Sequence, residues 1–147
     1  LKVFLLILSL GTSALAQVQA KDDVAGCYAV LTATVNESPA QLKRPAHFAH
    51  EKDIRLTSER ENAPWAGSSD FRVAPVSSSE RFNYSAAYWA LERETISITW
   101  SSNGLSGVRM ILTPTRNGFE GMVESFWDFP PYTENKRQAV LTRRPCD

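Results

Sequence analysis

The chain has only two cysteines and two histidines, and its sixteen basic residues are cancelled by sixteen acidic ones. So few cysteines and histidines exclude a disulfide-dense mini-protein and the cysteine-rich zinc modules. Most of the basic residues are scattered from Lys43 to Arg144 rather than massed on one segment, which is the wrong field for tracking phosphates or holding an anionic membrane surface. Nucleic acid is therefore not expected as the main partner. No apolar stretch reaches the roughly 20 residues that a spanning helix needs, so stable membrane insertion is not expected. The seven glycines form no phosphate-cradling loop, and nothing in the sequence asks for a metal or a cofactor.

What is present begins with "LKVFLLILSLGTSALAQVQAKDD". One basic residue, a short apolar run from Val3 to Leu10, and then Ala14, Ala16 and Ala20 make the layout of an export signal. Cleavage after Ala20 is expected, giving a signal over 1–20, a single domain over 21–147, and a secreted or periplasmic location. About 125 residues remain, enough for one core and too few for two.

From Gly26 onward sustained helical spacing is missing. Short alternating runs rich in β-branched and aromatic residues are separated by Pro, Gly, Asn and Ser, which reads as all-β. Strands are expected at 27–35, 53–59, 71–76, 82–91, 95–100, 108–113, 119–127 and 138–143. In the clearest of them Ile96, Ile98 and Trp100 alternate with Thr95, Ser97 and Thr99, as a strand with one wet face requires. Asn103-Gly104 and Asn117-Gly118 signal reversals, so 95–127 reads as a three-stranded meander.

Cys27 sits in "VAGCYAV". Val24 to Cys27 match the pattern at which bacterial lipoproteins are acylated, leaving a lipid anchor at Cys27 as an alternative. Against it, Lys21, Asp22 and Asp23 stand just before the pattern, and charges at a membrane-embedded cleavage site are costly to desolvate. Cys146 is the other cysteine. An exported chain with an even count is read first as disulfide-bonded, and a free functional thiol is the third reading. A Cys27–Cys146 bond would set the first strand beside the last. Seven to nine strands connected in sequence order, with their ends joined, describe an up-and-down antiparallel β-barrel, which hides every sheet edge; a β-sandwich is the alternative.

With Gly26-Cys27-Tyr28 at the start and "LTRRPC" at the end, the chain resembles a small lipocalin-like (calycin-type) barrel. Such barrels open with Gly-x-Trp and carry a late arginine that packs across the aromatic ring and plugs one end. The resemblance assigns those structural roles to Gly26, Tyr28 and Arg143. If Cys146 shares a face with Cys27, so does Arg144, and Arg143 falls on the Tyr28 side. This chain departs from the pattern in three ways: Tyr replaces Trp, the Thr-Asp-Tyr hairpin is missing, and no helix follows the barrel. It is also similar to shorter bacterial exported proteins with Gly-Cys-Tyr near the start and Arg-Pro-Cys at the end, a likeness that brings no activity with it.

Candidates for catalysis are thin. His47 and His50 in "HFAHE" are not spaced as a hydrolytic zinc motif, and a polar loop accounts for them. "GLSG" at 104–107 lacks the strand-to-helix elbow of a serine hydrolase. Glu120 and Glu124 share a strand face, as solubilising surface pairs do. A hydrolase is therefore the remote alternative, and a non-enzymatic protein is expected. The aromatic residues are the richer resource. An eight-stranded barrel has room for one small ligand or for side chains alone. The expected function is binding of a small hydrophobic or aromatic ligand, with Trp65, Trp100, Met110 and Trp127 in the pocket. The alternative is a protein-binding or inhibitor module on a filled barrel, using loop aromatics such as Trp65 and "DFPPY".

Overall fold

The computed structural model describes residues 21–34, 53–77, 84–128 and 133–146. The expected export signal, His47, His50 and the segment from Phe129 to Tyr132 lie outside these residues.

A single helical turn, α1 (Lys21–Val24), is followed by eight strands: β1 (Gly26–Thr34), β2 (Asp53–Arg60), β3 (Phe71–Pro75), β4 (Ala86–Glu92), β5 (Thr95–Ser101), β6 (Ser106–Thr115), β7 (Gly118–Trp127) and β8 (Thr133–Arg144). Each pairs antiparallel with the next, and β8 pairs with β1, so the sheet is one closed up-and-down barrel of lipocalin-like architecture. A sandwich of two sheets is thereby excluded. Closure leaves no unpaired edge.

Period-two alternation sets the walls. On β5, Ile96, Ile98 and Trp100 point inward with no exposed surface, and on β6 Val108, Met110 and Leu112 stand opposite them in register. Tyr28, Val30, Ile54, Leu56, Trp89, Phe119 and Leu141 continue the same core. Where β2 meets β3 the register shifts between Leu56 and Arg60, which takes Thr57 out of the ladder. Its carbonyl instead accepts the indole N–H of Trp89 at 2.9 Å. A large aromatic thus enters the core without leaving its one polar atom unsatisfied.

The two Asn-Gly signals act differently in the two turns. Between β5 and β6 the side-chain oxygen of Asn103 accepts the backbone N–H groups of Leu105 and Ser106. Gly104 takes the positive φ of 78° that the turn demands. Between β6 and β7 the reversal falls on Arg116 and Asn117, and Gly118 is already the first residue of β7. The backbone of Leu141 crosses so closely there that a Cβ would collide with it, so the glycine serves the approach of β8.

Candidate functional site

Three regions carry the chemistry, and the first is the seam where the barrel closes. Cys27 and Cys146 form a disulfide with Cα atoms 5.3 Å apart across a sequence separation of 119. Cys27 is buried, and Arg55 donates to its sulfur at 3.5 Å. Beside it Arg144 pairs with the Asp53 carboxylate.

On the opposite face of the same two strands, Tyr28 stands across the ladder from Arg143. The guanidinium carbon lies 5.8 Å from the ring centroid. Its two terminal nitrogens donate to the carbonyls of Asp23 and Ala25, at 2.7 and 2.9 Å. A side chain on Gly26 would press against that guanidinium. Tyr28 donates its hydroxyl to the carbonyl of Val24 at 2.6 Å, and α1 is pinned over this end of the barrel. Burial raises the Tyr28 pKa above its ordinary value, with the charge of Arg143 pulling the other way. Outside this plug a cleft of about 390 Å³ opens between α1, the β6–β7 turn and the end of β8; Asp23, Thr115, Arg116, Asn117, Thr142 and Arg143 line it over Tyr28 and Phe119.

The interior is the second region. Trp100 and Met110 have no exposed surface, and neither do Trp89, Ile98 and Leu112. A void roomy enough for a water molecule would give the side chains around it accessible surface. Trp100 and Met110 therefore border no such void. Trp127 lies at the end of β7 opposite Ser106; its side chain is outside the described residues.

Trp65 belongs to the third region, the outer wall. The connection over residues 61–70 leaves the barrel at the α1 end, where Lys21 and Arg60 flank Phe71 at 5.0 and 4.4 Å. Yet Trp65 packs on Gly104, in the β5–β6 turn at the opposite end: a Cβ added to Gly104 would stand 2.7 Å from that of Trp65. That reach, together with the Asp70 charge acting on outward-facing Tyr88, sets the connection along the outside of β4 and β5. Ala86, Thr99 and Ser101 point outward there, and all three are buried. The strap is tied at its base by Glu61 N–H to Asp70 C=O at 3.1 Å, and by the Asp70 carboxylate accepting from Gly67 N–H. Burial, then the charge of Asp70, raises the Tyr88 pKa; its hydrogen bond with Thr99 and the charge of Arg109 oppose this. The indole N–H of Trp65 is buried with no acceptor among the described residues. Trp65 and Trp100 are therefore on opposite sides of the barrel wall.

Beyond the strap, Arg109 stacks on Phe126 at 5.6 Å and pairs with Glu124 at 2.8 Å. Lys136 reaches the same carboxylate at 3.7 Å. Glu120 sits exposed opposite Thr113, so the two carboxylates of β7 do not converge on a cleft. Ile111 and Met122, directly paired across β6 and β7, are exposed large apolar residues on this wall.

Reading along the chain misses the strap and the cleft. Both arise where distant turns meet, and the only local sign is an arginine before Asn117-Gly118. Among the described residues no group of three His, Cys, Asp or Glu side chains could hold a metal ion. No family model matches the chain, and no curated protein or solved structure shows significant similarity to it.

Proposed function

We propose that the chain is an exported, non-catalytic binding protein that meets a protein partner on the outer wall of a filled barrel. The complete burial of Trp100 and Met110 carries this reading: a ligand against them would have to displace core side chains, at a cost of a few kcal/mol for each one disturbed. The outer wall supplies what a partner uses instead. Ile111 and Met122 are exposed, the Arg109–Phe126 stack is beside them on the same face, and aromatics, Met and Arg are the residue types enriched at protein interfaces. The strap adds an aromatic whose buried N–H has no acceptor among the described residues; moving it toward a partner would relieve that loss.

Tryptophan fluorescence, titrated with a panel of apolar and aromatic small molecules, tests the reading together with a photo-crosslinker placed at Met122. The expected result is no saturable quenching and a discrete protein adduct that Ile111→Glu abolishes. Stoichiometric quenching that disappears in Trp100→Phe would establish an interior ligand site instead.

A further inference from the structure

Beyond any partner on the outer wall, we infer that the plugged end carries a binding site for a small molecule with one oxyanion head, a carboxylate or a phosphate ester, held between Arg116 and Arg143. Arg116 and Arg143 both line the cleft of about 390 Å³, and Asp23 is the one acidic residue there among those described, so positive charge prevails among them. The volume falls within the roughly 300 to 1,000 Å³ of small-molecule sites.

Among the described residues, neither arginine has the carboxylate partner that several others have. Arg72, Arg109 and Arg144 each face a carboxylate. Arg143 is held by two backbone carbonyls and the Tyr28 ring, and no carboxylate among the described residues lies within ion-pair distance of it. Its charge is ordered but, among the described residues, uncompensated. Arg116 is exposed on the turn and pairs with nothing among the described residues, leaving its donor fork free for the bidentate geometry that oxyanions favour. The side chains of Asn117 and Thr142, also in the lining, are not used in hydrogen bonds among the described residues and add neutral donors. Because Arg143 is fixed by folding, less side-chain freedom is lost when a ligand binds. Asp23 at the rim opposes a second negative group, which favours a single anionic head over a polyanion.

The test is an amide NMR titration of the full chain at constant ionic strength, with sodium acetate and sodium phosphate as separate probes and chloride as the reference salt. Saturable shifts confined to residues 115–119 and 142–143 are expected with at least one probe. Response to acetate alone assigns a carboxylate, to phosphate alone a phosphate ester, and to both a site open to either. Arg116→Gln should weaken binding about tenfold and leave the rest of the spectrum in place, while Arg72→Gln should leave the affinity unchanged. No saturable shift with either probe, or a titration indifferent to Arg116→Gln, would overturn the inference.

Discussion

Arg143 lies directly across the β1–β8 ladder from Tyr28 and holds its guanidinium over the tyrosine ring while donating to two carbonyls of the segment that leads into β1. One side chain thus joins the last strand, the first strand and α1. Its replacement by methionine keeps the stem and loses the fork, leaving the carbonyls of Asp23 and Ala25 to water. A loss of about 2 kcal/mol in urea unfolding is expected, since a stacked cation and charged hydrogen bonds each contribute about that order, reduced by solvent at this exposed end. Arg143→Lys should recover less than half, because an ammonium cannot span both carbonyls from over the ring.

The disulfide and the strand ladder both join the two ends of the sheet. β1 pairs with β8 from Cys27 opposite Arg144 to Thr34 opposite Arg137. A Cys27→Ala/Cys146→Ala variant should therefore keep its β-sheet circular dichroism while losing about 4 to 5 kcal/mol of unfolding free energy, the loop-entropy value for a closure of this length. Alanine suits Cys27 because the site is buried. Collapse of the sheet signal in that variant would show that the ladder cannot close alone.

How far the letters carry depends on the range of the interaction. The alternation of Ile96, Ile98 and Trp100 against Thr95, Ser97 and Thr99 suffices to locate β5, because a one-residue slip would turn every apolar side chain out. Parity from the cysteines likewise sets Arg143 on the face of Tyr28, as the register has it. Trp100 marks the limit: hollow and filled barrels both need apolar residues at inward positions, and only the fit of side chains from β4, β5 and β6 decides between them. Thr99 is the reverse case. Its alternation assigns it to solvent, and it is buried on the side of the wall along which the connection between β2 and β3 runs, a long-range event with no periodic signature. The cleft depends on the turn at Arg116 meeting Thr142 and Arg143, which no local pattern foretells.

Tyr28 and Tyr88 both have pKa values raised above the ordinary 10.0, chiefly by burial. The unfolded chain loses its phenolic protons first as pH rises through 10, so it binds fewer protons than the native state from there upward, and stability falls with pH. The stabilisation is whole below pH 10 and is lost as pH climbs toward the raised native values. Urea midpoints should be flat with respect to these two groups from pH 8 to about 9.5 and decline above about 10. In an ultraviolet titration of phenolate absorbance, Tyr88→Phe should delete one of the late-ionising groups; a native titration in which every tyrosine ionises near 10 would refute the burial argument.

The strap makes a prediction of its own, because its far end rests on one glycine. Gly104 has φ of 78°, and a methyl group there would stand 2.7 Å from the Cβ of Trp65. Gly104→Ala therefore combines backbone strain of about 1 kcal/mol with a collision that the Trp65 side chain relieves by moving away. Leaving is made easier by the indole N–H, which has no acceptor to lose among the described residues. The core beneath, including Ile98 and Trp100, faces the other side of the wall and should stay packed. The variant should lose about 1 to 2 kcal/mol of stability, shift part of its tryptophan emission to longer wavelength, and be cut by protease within residues 61–70 at least several-fold faster than the native chain, with the barrel's amide-exchange protection intact. Slow cleavage together with unchanged emission would mean that Trp65 is held by contacts other than Gly104; the strap would then be a fixed part of the wall and could not turn its aromatic toward a partner.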